Sequence, residues 1–120
     1  MRFIYLLLLS FSLCVAQTSY EKGKNLYLAK VCYSCHGHKL EGMNTFPRLA
    51  NRAKGYMSYK LKRFRSKQAD TQAQEMMITY SVNLSDEDIE NLATYMYEYV
   101  DEESSERYDD SFQTHGDGGS

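Results

Sequence analysis

An all-α fold of a few short helices is what this sequence predicts, on three observations. Residues 85–100 open on a capping pattern and carry an apolar stripe at helical spacing. Residues 20–31 and 56–66 each gather their larger apolar side chains on one helical face. No stretch shows the two-residue alternation of a half-buried strand.

The elements follow in chain order. Arg2 gives a positive start, residues 3–16 form an apolar, Leu-rich run, and Cys14, Val15 and Ala16 precede the polar Gln17. That is the layout of a secretory signal peptide over residues 1–16. The run is shorter than the about 18–20 residues a membrane span needs. Cleavage after Ala16 leaves 104 residues with no membrane span of their own. Leu13 before Cys14 argues against a lipidation cysteine.

The first helix is expected over residues 20–31, capped by Ser19, with Gly23, Tyr27 and Val31 four apart on one face. Residues 36–55 hold Gly37, Gly42, Pro47 and Gly55 and read as a loop. A loop of this length is rare in a compact domain unless it packs on something, and a cofactor would serve. A helix over residues 56–66 places Met57, Leu61 and Phe64 together. Residues 68–74 form a polar connection, and a short helical turn follows over residues 74–80. In the last helix Ser85 faces Asp88 three residues on, and Ile89, Leu92, Ala93, Met96 and Val100 make the apolar stripe.

Charge is unevenly placed. Residues 17–100 carry twelve basic and nine acidic side chains; residues 101–120 carry seven acidic ones against Arg107 alone. That tail is expected to be disordered. The formal net charge of −2 argues against a nucleic-acid binder. Eight basic residues and no acidic one lie between Arg48 and Lys67. They read either as a solvated face that balances the tail and any bound acidic groups, or as a docking surface for an acidic partner. The tail either is inert, folds back on this run, or meets a basic partner.

Of three cysteines, only Cys32 and Cys35 survive cleavage, and His36 follows directly. Cys32-Tyr33-Ser34-Cys35-His36 is the attachment pattern of a c-type haem. Two thiols with two residues between them can add across the two vinyl groups of one porphyrin. The histidine beside them then sits under the iron, its other ring nitrogen held by a backbone carbonyl. A thioredoxin-like pair would follow a strand, whereas this one follows a helix. A zinc site would need four ligands, and only His38 and His115 remain to complete it. A disulfide would be strained and would leave a small core unsupported. Asp109, Asp110 and Asp117 lack the regular spacing of a calcium loop.

With these residues in order, the chain resembles the class I c-type cytochromes, of the short mono-haem bacterial periplasmic kind. The resemblance covers residues 19–100. It rests on Gly23 and Tyr27 before the motif, on Cys32 to Gly37, on Phe46-Pro47-Arg48-Leu49-Ala50, on Met76-Met77, and on Leu84 to Ile89 with Leu92, Ala93 and Tyr95. It implies a cytochrome c-like fold, short helices around one covalently bound haem c. Tyr27 and Tyr95 would meet where the first and last helices cross. Cys32 and Cys35 would anchor the haem, His36 would ligate its iron, and the Pro47 carbonyl would hold His36.

In the family the second axial ligand lies eight residues before the capping serine, which gives Met77. Met76, Met43, His38 or an open position are the alternatives. Met57 and Met96 read as core. The chain departs from the family where His38-Lys39-Leu40-Glu41 replaces a glycine-rich run, and where Asn51 replaces a frequent glycine. Asparagine tolerates the positive φ that glycine serves there. The implied function is single-electron transfer between redox proteins in the periplasm, in a respiratory or sulfur-oxidising chain, without catalysis of its own. The alternative is a cytochrome subunit of a larger redox enzyme, such as a flavocytochrome sulfide dehydrogenase. A haem enzyme or gas sensor would need an open iron position.

Overall fold

The structure is a computed structural model, and residues 16–103 are described. Expectations for the signal peptide, for His115 and for the tail beyond Glu103 lie outside the described residues.

The first helix, α1, spans Ser19–Ala29. Thr18, one residue before the expected cap, accepts from the Glu21 amide at 3.2 Å. The helix stops short of Val31, which takes a left-handed φ of 60°. Val31 is therefore exposed, although its spacing from Gly23 and Tyr27 predicts a buried position. A single helical turn, α2, follows at Tyr33–His36 and ends on Gly37 at φ 87°.

The loop after Gly37 has almost no repetitive structure, and its backbone is satisfied locally. The Leu40 carbonyl accepts from the amides of Leu49 (2.9 Å) and Ala50 (3.1 Å), and the Gly42 amide donates to the His36 carbonyl at 2.7 Å. Met43 and Phe46 form an isolated antiparallel bridge, and no strand occurs among the described residues. Leu40, fully buried, plugs the loop into the core.

Helix α3, Lys54–Arg65, begins two residues earlier than its sequence predicts. It buries Met57, Leu61 and Phe64 as expected, with Ser58 beside them. The Ser58 hydroxyl donates to Glu90 at 2.9 Å, tying α3 to the last helix. A 3-10 turn at Gln72–Glu75 leads into α4, Met76–Ser81. The last helix, α5, is Asp86–Glu98, and Ser85 and Asp88 exchange both capping-box hydrogen bonds at 3.0 Å.

Helix α5 is the spine of the fold. Ile89, Leu92, Ala93, Tyr95 and Met96 are buried on it. Val100 falls beyond its end and is exposed, because Tyr99 leaves helical geometry at ψ 129°. Helix α1 crosses α5 at Gly23. A Cβ there would fall on the Asn91 carbonyl and within 2.7 Å of the Tyr95 Cβ. Tyr27 packs on Tyr95 with ring centroids 5.6 Å apart. Tyr20 (5.1 Å) and Tyr99 (5.8 Å) extend the contact to either side of Tyr95.

Five side chains of the basic run are paired within the described residues. Lys60 and Arg63 reach Asp70 at 3.0 and 2.6 Å, Arg65 reaches Asp86 at 2.7 Å, and Lys54 and Lys62 reach Glu90 at 3.7 and 4.0 Å. The described start of the tail lies elsewhere, with Asp101 and Glu103 against Lys39 at 3.6 and 3.3 Å. Sequence adjacency hides this, since those carboxylates come from the α3–α4 connection and from α5.

Candidate functional site

The α2 turn brings the three chemistry-bearing residues of the motif together. Cys32 caps the turn, Cys35 lies within it and His36 closes it, its amide donating to the Cys32 carbonyl at 3.0 Å. Tyr27 reaches across from α1 and donates its hydroxyl to the Gly37 carbonyl at 2.7 Å. That bond fastens the residue after the histidine to the core. Burial raises the Tyr27 hydroxyl far above the ordinary tyrosine range, so it stays a donor.

His36 is 6% exposed. Its Nδ1 lies 2.9 Å from the Pro47 carbonyl oxygen. A carbonyl only accepts, so Nδ1 carries the proton and Nε2 keeps the lone pair that a metal would take. Phe46, next to Pro47, meets the imidazole edge-on at 6.3 Å.

Both cysteines are half-buried free thiols and not a disulfide. Burial pushes the Cys32 thiol up to about 11, with its own backbone amide first and Lys30 second only partly offsetting it. A dithiol built for disulfide exchange has a lowered thiol instead. Among the described residues no three His, Cys, Asp or Glu side chains cluster as a metal site. Two free thiols on one turn, with a buried histidine tautomer-locked beside them, are the donor set that a covalent haem requires. Val31 and Met43, on either side of the motif in sequence, are each more than two-fifths exposed.

Two of the methionines lie where their helical spacing predicts. Met57 and Met96 are buried in the core. Met77 is half-buried against that core, Met76 on the same helix is 52% exposed, and Met43 is exposed in the loop. His38 is exposed and stacks on Tyr33 with centroids 4.3 Å apart and planes 19° apart. The sequence reading missed that stacking, along with the roles of Tyr20 and Tyr99, because their contacts span loops or long sequence separations.

A turn bearing two thiols and a histidine, set in a helical frame crossed at a glycine, defines a haem-attachment domain. Residues 20–98 match the cytochrome c family. Cytochrome c-554(547) of Halothiobacillus neapolitanus is 33% identical over 82 residues, which cover 62% of this chain and 89% of that protein. Among solved structures, cytochrome c4 of Acidithiobacillus ferrooxidans matches with a TM-score of 0.59 at 22% identity. That match covers 72% of this chain and 52% of the other, so the chain spans about half the length of that structure and shares its fold. The chain belongs to the cytochrome c family. With that family it carries covalently attached haem c and its iron, and it is a haem electron carrier. Among the described residues no helix is long and apolar enough to cross a membrane.

Proposed function

We propose that the protein is a periplasmic single-electron carrier with His36 and Met77 as axial ligands of one haem, anchored through Cys32 and Cys35. The observation that carries this reading is the buried His36, its Nδ1 engaged by Pro47 at 2.9 Å, on the same turn as two free thiols. When bound, the haem supplies an iron that accepts and returns one electron.

The chain's own groups do the rest. Cys32 and Cys35 fix the position of the group on α2. His36 offers Nε2, and the Pro47 carbonyl keeps the other proton in place, holding the ring's tautomer and orientation. Met77 offers a neutral, soft thioether, which favours the reduced state. Its half-buried place against the core supports it over Met76, whose side chain is more open to water. With both axial positions filled no site remains for substrate, so redox proteins are the partners, in a respiratory or sulfur-oxidising chain. Export by residues 1–16 suits attachment outside the cytoplasm.

The test is the visible spectrum of the haem-loaded protein and two variants. The unsubstituted protein is expected to be low-spin, with the weak far-red band of sulfur on ferric iron. Met77→Ala abolishes that band and Met76→Ala retains it. A high-spin spectrum that responds to carbon monoxide in the unsubstituted protein would overturn the carrier reading.

A further inference from the structure

Asn51 does more than accept a left-handed backbone. Its φ is 61°, a conformation glycine would adopt more easily. The side chain it carries instead makes contacts that glycine lacks. One Nδ2 hydrogen bond goes to the Tyr99 carbonyl at 2.8 Å and another to the Tyr97 carbonyl at 3.2 Å. The Asn51 backbone amide donates to the Met96 carbonyl at 2.7 Å.

Three carbonyls at the C-terminal end of α5 are thus satisfied by one residue from another part of the chain. Helix ends leave their last carbonyls unpaired, and α5 has neither a glycine nor a basic side chain in its last turn to serve them. Asn51 is a cap supplied in trans.

The other end of the same short segment is Pro47, whose carbonyl faces His36 Nδ1. Between them, the amides of Leu49 and Ala50 both bond the Leu40 carbonyl. The segment from Pro47 to Asn51 is therefore held at three places: His36, Leu40 and the end of α5. We infer that Asn51 is a positioning residue, whose side-chain amide fastens the Pro47 loop to α5 and so sets the hydrogen bond that Pro47 makes to His36. This rests on the reading of His36 as an axial ligand. Its consequence is that the end of the last helix, some distance along the chain from the motif, is coupled to the orientation of that ligand.

The experiment uses the haem-loaded protein and three variants. Asn51→Gly keeps the left-handed backbone and removes the amide. Asn51→Asp keeps the size and replaces the donor with a carboxylate facing two carbonyls. Ser85→Ala weakens the opposite end of α5 and serves as a control for general destabilisation. Two quantities are read in each: the midpoint potential, and exchange of the His36 Nδ1 proton in the ferrous state by NMR, alongside a denaturant melt.

Both Asn51 variants are expected to shift the midpoint potential and to speed that exchange about tenfold or more, beyond what their global stability accounts for. Ser85→Ala lowers stability while leaving both quantities unchanged. Asn51 variants that differ from Ser85→Ala only in stability would reduce Asn51 to a structural cap and overturn the inference while leaving the ligand reading intact. Absence of the strongly shifted ring protons of an axial histidine in the unsubstituted protein would overturn the ligand reading, and the inference with it.

Discussion

Tyr27 shows how a single hydroxyl is tied to the site. It is fully buried, it donates to the carbonyl of the residue after His36, and it joins α1 to the motif turn. Tyr27→Phe keeps the ring packing on Tyr95 and leaves the Gly37 carbonyl without that donor. The expected loss is about 1–3 kcal/mol of stability, the cost of an unmet buried acceptor, measured by guanidinium unfolding of the haem-loaded protein. A change under a few tenths of a kcal/mol would mean that water replaces the bond. At this scale the motif was plain in the sequence, because covalent attachment demands adjacent residues at one spacing. Gly23, Tyr27, Tyr95 and Pro47 were readable through the resemblance, and the structure brings each to the neighbour expected of it. The contacts of Tyr33 with His38, and of Asn51 with the end of α5, were not readable. They depend on how a loop closes, and no periodic pattern records that.

Helices α1, α3, α4 and α5 were legible to within a turn, while their ends and the separate turn α2 were not. The last helix was clearest, since its capping box and apolar stripe are local signals that agree with each other. Its end was missed because Tyr99 and Val100 continue the apolar pattern after the backbone has left the helix. Asn51 takes the last carbonyls there. Helix α1 likewise ends where Val31 turns left-handed, against a β-branched side chain's preference. The strongest demand at this scale is the α1–α5 crossing. Gly23 lets α1 approach until its backbone faces Asn91 and Tyr95. Gly23→Ala places a methyl on backbone that cannot yield, so the helices must separate. The expected cost is about 3 kcal/mol or more, with loss of the tyrosine packing seen in near-ultraviolet circular dichroism. A variant that kept its stability and that signal would show that the crossing has slack.

Over the whole molecule, the charge pattern and the haem decide the behaviour. The sequence left the basic run as a solvated face or a docking surface for an acidic partner; the fold pairs five of its side chains with Asp70, Asp86 and Glu90. Exposed pairs of this kind add little to stability, though they leave a pH signature. Asp70 and Asp86 sit below their ordinary value of 3.8, through hydrogen bonds from Lys60 and Arg65 first and through the charge of nearby cations second. Their contribution is present above pH 3.8 and fades as the pH falls through the lowered values. The tyrosine cluster acts at the other limit. Burial lifts Tyr95 to about 12, and it lifts Tyr27 beyond that range. Tyr99 is raised too, by burial first and by Asp101 second. A tyrosine whose folded value exceeds its unfolded 10 loses its proton first in the unfolded chain. Ionisation therefore draws the protein toward unfolding only above pH 10. Stability is full below that point and falls as the pH rises toward the folded values, by at most about 1.4 kcal/mol per pH unit for each such tyrosine. Guanidinium midpoints of the haem-loaded protein between pH 7 and 11.5 should be level up to about 10 and then drop. In Tyr27→Phe the drop should be shallower by one tyrosine's share, even though the variant starts from a lower plateau. Equal slopes in the two proteins would mean that Tyr27 ionises without unfolding, and that the crossing of α1 and α5 opens to water more readily than its packing implies.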